Sequence, residues 1–146
     1  MDRVTELASD LERGPSALAN VLDTYLGSSS PLGALGPALL RGRRVAFVGL
    51  GSSRYASMDA ASALRVGGIA AWAEFASTDG APPASDLVLV AVSASGRTPE
   101  TVEVARRHHD TSLVIGVTNV LASPLAEVSD VILPLLAGSE MSGIST

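Results

Sequence analysis

From Arg44 onward the chain alternates between two kinds of stretch. Short, nearly unbroken apolar runs of strand length recur: "VAFVGL" (45–50), "IAAWAEF" (69–75), "LVLVAV" (87–92), "SLVIGV" (112–117) and "VILPLL" (131–136). Between them lie segments with helical periodicity. Arg54 to Val66 carries Ala56, Ala60, Ala63 and Leu64 on one side, Pro99 to His109 carries Val102, Val104 and Ala105, and a short "SPLAEVSD" follows. Strands that are apolar on both faces and separated by helices belong in a parallel sheet covered on each side. The pattern therefore predicts an α/β fold: a three-layer, doubly wound, five-stranded parallel sheet in the flavodoxin-like order 2-1-3-4-5.

Ahead of the sheet, Val4, Leu7, Ala8 and Leu11 repeat at helical spacing, and Leu18, Val21, Leu22, Tyr25 and Leu26 do so again. Gly14-Pro15 divides the two runs, so the expectation is two helical pieces within residues 3–26, with Pro15 opening the second and Gly27 stopping it. "SSSPLGALGP" reads as loop or a short frayed helix. The expected organisation is an N-terminal helical segment, residues 1–43, followed by the α/β domain, residues 44–146. The final "AGSEMSGIST" falls just past the fifth strand, where another helix is due, so the chain reads as the first half of something larger.

Composition sharpens this picture. With 146 residues, 47% hydrophobic and 17% charged, the chain reads as one compact domain able to bury roughly two thirds of its unfolded surface. Aromatics are only 3%, so the core falls to Val, Leu, Ile and Ala. The net charge of −5 is scattered, which argues against nucleic acid and anionic membrane as partners. All 10 basic residues are arginine, so no Schiff base, phosphate-loop lysine or lysine general base comes from this chain. There is no cysteine, and no apolar run reaches the roughly 20 residues of a membrane helix. A cytoplasmic chain is expected, without membrane contact.

In an open α/β sheet the ligand sits beyond the carboxyl ends of the strands where the order reverses, here between strands one and three. The first of these two loops runs Gly49-Leu50-Gly51-Ser52-Ser53 and the second Ser93-Ala94-Ser95-Gly96-Arg97-Thr98. Each leads into a helix, whose free N–H groups and partial positive charge favour an anion, and serine and threonine hydroxyls add donors that rotate to meet phosphate oxygens. Gly51, Ser52, Ser53, Ser93, Ala94, Ser95, Gly96 and Thr98 are thus the candidate phosphate-binding set. The competing structural role is helix capping, for which Thr98 before Pro99 is well suited; but one cap uses one hydroxyl, and here five converge.

Other features weigh less. Gly49-Leu50-Gly51 starts like a dinucleotide fingerprint, but Arg54 stands at the third glycine position and Glu74 is loosely placed for a ribose contact; no cofactor is expected. "SASG" lacks the leading glycine of a nucleophile elbow. His108 and His109 are consecutive and point about 100° apart on a helix, so they form no metal site and read as a solvated helix end. Trp72 reads as core or interface, and Arg41, Arg43 and Arg44 as a solvated edge.

The unit of strand, "GLGSSRYAS" and helix, followed by "LVLVAVSASGRTPETV" and "LPLLAGSEMSGIST", resembles the sugar isomerase (SIS) domain. The similarity is greatest to the N-terminal half of the isomerase domain of glutamine–fructose-6-phosphate aminotransferases and related sugar-phosphate deglycases. The resemblance implies that Ser53, Ser93, Ser95 and Thr98 grip the phosphate of a sugar phosphate, with Gly51 and Gly96 permitting close approach. Ala94 stands where the aminotransferase has glutamine, and Arg97 where it has glutamate. Glu140, Ser142 and Ser145 are candidates for contact with the sugar, with a first-turn helix acid as the competing role for Glu140. The family carries two SIS domains per chain and draws its acid–base residues from the later part. The implied partners are therefore a sugar phosphate and either a second SIS domain or a second copy in a homodimer. The function expected is the phosphate-anchoring half of an aldose–ketose isomerase or aminosugar-phosphate isomerase/deaminase, with catalytic residues unknown. The alternatives are a non-catalytic phosphosugar sensor and, third, a dinucleotide-binding domain.

Overall fold

A computed structural model describes residues 3–35 and 42–138. The chain opens with α1 (Arg3–Leu26) and a 3-10 turn (Pro31–Leu35). It then alternates through β1 (Arg44–Gly49), α2 (Ser52–Val66), β2 (Ala71–Phe75), β3 (Leu87–Val92), α3 (Pro99–His108), β4 (Leu113–Thr118), α4 (Pro124–Glu127) and β5 (Val131–Pro134). The five strands form one sheet, ordered β2-β1-β3-β4-β5, and every pairing is parallel. Fold class, strand order and N-terminal helix agree with the sequence reading.

The sheet is double-sided because successive residues of its strands face opposite layers. Ala46, Val48, Leu87, Leu89 and Val114 point to the side covered by Val102, Val104 and Ala105 of α3 and Leu125 of α4. Val45, Phe47, Val88, Val90 and Ile115 point to the other side, where Ala61 of α2 is buried and Ala60 and Leu64 pack. Leu87, Leu89 and Leu125 are fully buried, each contributing about 1.5–3 kcal/mol by leaving water. The buried stripe of α2 runs through Ser57, Ala60, Ala61 and Leu64; Ala56 and Ala63, assigned to the packed side from spacing, are exposed.

Two expectations need correction. Residues 3–26 form a single helix with Pro15 inside it, not two pieces. Pro15 removes one intrahelical donor, but the apolar positions keep phase across it, Leu11 and Leu18 being a whole heptad apart. Ser16 Oγ also donates to the Arg13 carbonyl at 2.9 Å, within the turn that the proline interrupts. His108 is not a solvated helix end; it is 3% exposed. Its Nε2–H donates to the Ala81 carbonyl (3.1 Å), and its Nδ1 meets Ser112 Oγ (3.0 Å), which accepts from Ala84 N–H (3.1 Å). A carbonyl only accepts, so the proton lies on Nε2 and the serine donates to Nδ1. Among the described residues no helix is long and apolar enough to cross a membrane.

Candidate functional site

β1 and β3 are direct neighbours, paired from Arg44↔Leu87 to Val48↔Ala91, so the loops that leave their carboxyl ends lie side by side. The contact is close: a Cβ on Gly49 would come within 3.2 Å of the Val92 carbonyl oxygen and 3.1 Å of Ser53 Cβ. The first loop turns at Gly51, φ 55°, a conformation open to glycine at little cost, and α2 begins at once with Ser52 and Ser53. No side chain caps α2, although Ser52 and Ser53 stand in its first turn.

The second loop is held by its backbone. Ser93 N–H donates to the Val117 carbonyl (3.0 Å), Gly96 N–H to the Ser93 carbonyl (3.0 Å), and Leu125 N–H to the Gly96 carbonyl (3.0 Å). The Ala94 carbonyl accepts from Asn119 N–H at 2.9 Å and from Thr118 Oγ1 at 3.2 Å. Thr98 occupies the N-cap position of α3 with Pro99 in the first turn, as the sequence suggested, yet its hydroxyl does not cap the helix. It shares a hydrogen bond of 2.9 Å with Ser93 Oγ instead. Ser95 is exposed, and its Oγ accepts from Arg97 N–H at 3.2 Å. By contrast Ser123 does cap α4, accepting from Ala126 N–H at 3.4 Å. Capping thus accounts for the hydroxyl at α4 and for none at α2 or α3.

A cleft of ≈ 420 Å³ opens at the carboxyl ends of the strands. Ser52, Ser53 and Ala56 of α2, Val92 and Ala94 at the end of β3, and Asn119, Leu135, Ala137 and Gly138 beyond β4 and β5 form one part of its wall. α1 forms the rest with Asp10, Arg13, Gly14, Ala17, Leu18 and Val21, which fall on one helical face. The C-terminal end of α1 is fixed nearby, since Tyr25 O–H donates to the Pro134 carbonyl at 2.6 Å. Burial raises the Tyr25 phenol above its ordinary value, so it stays a neutral donor.

Of the eight candidate phosphate residues, Ser52, Ser53 and Ala94 line the cleft. Ser93 is buried against Thr98, while Gly51 and Ser95 are exposed and do not line the cleft. Gly96 faces the other way. Its absent side chain leaves room for Ser123, whose Oγ would stand 2.2 Å from a Cβ. Glu140, Ser142 and Ser145 lie outside the described residues, as does Arg41. The sequence reading missed Asp10, Arg13 and Asn119. Asn119 directly follows β4 on the ligand edge, a position that strand-end reasoning could have singled out; its side chain binds Gly138 O and accepts from Ala137 N–H (3.0 Å), holding the segment after β5. Among the described residues no group of three or more His, Asp or Glu side chains is placed to hold a metal ion.

Two helix N-termini without side-chain caps beside a cleft at the reversal point of a parallel sheet define an α/β domain of the doubly wound class. The family model for the SIS domain matches residues 38–146, and the chain belongs to that family. It is 34% identical over 147 residues to the glutamine–fructose-6-phosphate aminotransferase (isomerizing) of Aeropyrum pernix, across 96% of this chain and 23% of the relative. The chain thus spans about a quarter of that protein's length. Two solved structures share the fold. The tagatose-6-phosphate ketose/aldose isomerase of Escherichia coli superposes with a TM-score of 0.77 at 23% identity, covering 97% of this chain and 43% of the other. The C-terminal domain of the glucosamine-fructose-6-phosphate aminotransferase of Francisella tularensis does so with a TM-score of 0.76 at 21% identity, covering 92% of this chain and 40% of the other.

Proposed function

We propose that this chain binds a phosphorylated sugar, a hexose or aminohexose phosphate, with the phosphate held between the 51–53 and 93–98 loops and the sugar extending into the cleft under α1. The observation that carries this is the pairing of β1 with β3, which sets the uncapped starts of α2 and α3 side by side. An oxyanion there meets main-chain N–H groups, the positive ends of two helices and the hydroxyls of Ser52, Ser53 and Ser95. The Ser93–Thr98 hydroxyl pair supports the second loop from beneath and keeps one O–H free to reorient. Kinship with a glutamine–fructose-6-phosphate aminotransferase (isomerizing), and a fold shared with a tagatose-6-phosphate ketose/aldose isomerase, support the same ligand class.

In this reading the chain is the phosphate-anchoring half of an aldose–ketose isomerase or aminosugar-phosphate isomerase/deaminase. Proton transfer at the sugar carbon needs a base within hydrogen-bonding reach. That base comes from a second SIS domain or a partner subunit. Calorimetric titration with fructose 6-phosphate tests the anchor. Ser95→Ala removes a donor to a charged group, worth about 1.5–3 kcal/mol, and should weaken binding roughly tenfold to a hundredfold. Equal affinity in variant and wild type would remove Ser95 from the anchor. Incubation with fructose 6-phosphate or glucosamine 6-phosphate, followed by assay for the isomer or ammonia, separates turnover from sensing.

A further inference from the structure

α2 begins with a charge of the wrong sign. A helix N-terminus carries partial positive charge and favours an acid in its first turn. α2 has no acid there; Arg54 stands in that turn, directly after Ser52 and Ser53. Nor is its guanidinium turned freely out to water. It lies over the ring of Phe75, 4.9 Å from the centroid, and its Nε and Nη1 are buried without a hydrogen-bond acceptor. Other arginines have acceptors: Arg44 pairs with Asp86, Arg106 with Glu103, and Arg65 donates to the Ala71 carbonyl at 2.8 Å. An aromatic face attracts a cation only modestly, whereas buried N–H groups of a charged side chain that meet no acceptor bear the full penalty of leaving water.

The sheet fixes where this cation sits. Phe75 is the partner of Gly49 in the β1–β2 register, and Gly49 is where the first loop leaves β1. The main-chain N–H of Arg54 is already engaged, donating to the Gly51 carbonyl at 3.1 Å, so its side chain is what remains for a ligand. Gly51, Ser52 and Ser53 offer an oxyanion neutral donors alone. Arg97 of the second loop is exposed, where water and salt screen its charge. A phosphate at the start of α2 brings the acceptor oxygens that the buried N–H groups lack, and the planar donor array of a guanidinium suits them. We infer that Arg54 is the charge partner of the bound phosphate: held on Phe75 at the root of the first loop, it donates to the phosphate oxygens and offsets their charge.

This inference rests on the phosphosugar reading, and titrations of the full chain with fructose 6-phosphate and, separately, inorganic phosphate keep the two apart. Arg54→Gln should weaken both ligands alike, each by about tenfold or more, and Arg54→Lys, which keeps the charge, should recover part of that loss. In wild type the Nε–Hε resonance of Arg54, assigned as the signal missing from Arg54→Lys, should shift as inorganic phosphate saturates the protein. That measurement decides the matter if Arg54→Gln fails to fold. Affinities of Arg54→Gln within about twofold of wild type for both ligands, or a loss confined to the sugar phosphate, overturn the inference and leave the anchor standing. An Nε–Hε signal unmoved at saturating phosphate makes Arg54 a brace on Phe75, whatever the affinities, and overturns it too. Wild-type protein that binds neither ligand overturns the anchor and this inference with it.

Discussion

Gly96 carries two constraints at once. Its φ of 63° lies in the left-handed region, and a Cβ there would stand 2.2 Å from Ser123 Oγ and 2.8 Å from Thr118 Oγ1. Gly96→Ala should therefore cost about 2–5 kcal/mol, the sum of left-handed strain and overpacking, measurable as a fall in the denaturation midpoint. A variant as stable as wild type would mean that the second loop is not packed on β4 and α4 as described. Gly51 lacks the steric half of this constraint, since nothing lies within 4 Å of where its Cβ would be. At this scale the sequence was informative about residue type and less so about direction. Five hydroxyls on two adjacent loops were legible because strand order alone brings those loops together. Which hydroxyls face the cleft was not. Ser93 and Ser95 are two positions apart, yet one is buried against Thr98 and the other is exposed. That difference is set by backbone bonds from Ser93 to Val117 and from Asn119 to Ala94, across about 25 positions of the chain.

Elements bring in longer-range order. The β2–β3 connection is held against α3 by a chain of bonds: Trp72 Nε1–H donates to Glu74 Oε1 (2.5 Å), Glu74 Oε2 accepts from Ala81 N–H (3.0 Å), and Ala81 O accepts from His108. Burial holds the His108 imidazole below its ordinary pKa; the Ala81 carbonyl and Glu74 offset this in part, and nearby Arg107 adds to it. An imidazole that resists protonation when folded leaves the unfolded chain to take up the proton, so stability is full above the unfolded value of about 6.5 and declines as pH falls through it. The denaturant midpoint should fall between about pH 7.5 and 5.5, and less steeply in His108→Gln. A wild-type midpoint that is flat over that range would contradict a neutral, buried His108. The pair of histidines looked solvated in the sequence because burial of His108 depends on the 76–86 connection folding back onto α3, which local periodicity does not encode. Pro15 misled for a related reason. Propensity opposes proline within a helix by about 3 kcal/mol, but the apolar positions of α1 keep phase across Pro15 and the Tyr25–Pro134 bond ties the end of the helix to β5.

For the molecule as a whole, the sheet was legible because its core strands are apolar on both faces and its helices are spaced as crossovers, leaving one economical winding. The cleft was half legible: its floor follows from strand order, while its roof depends on where α1 lies, which the apolar pattern alone does not reveal since its stripe is exposed. The ligand position we propose, the carboxyl edge of β1 and β3, is the reversal point of this strand order, where ligands bind in doubly wound sheets. The account turns on an oxyanion being held there. The most direct test is a two-dimensional amide NMR titration of the full chain with fructose 6-phosphate. Saturable shifts concentrated in the amides of residues 51–54 and 94–98 are the predicted result; amides there that stay unmoved at saturating ligand would contradict it.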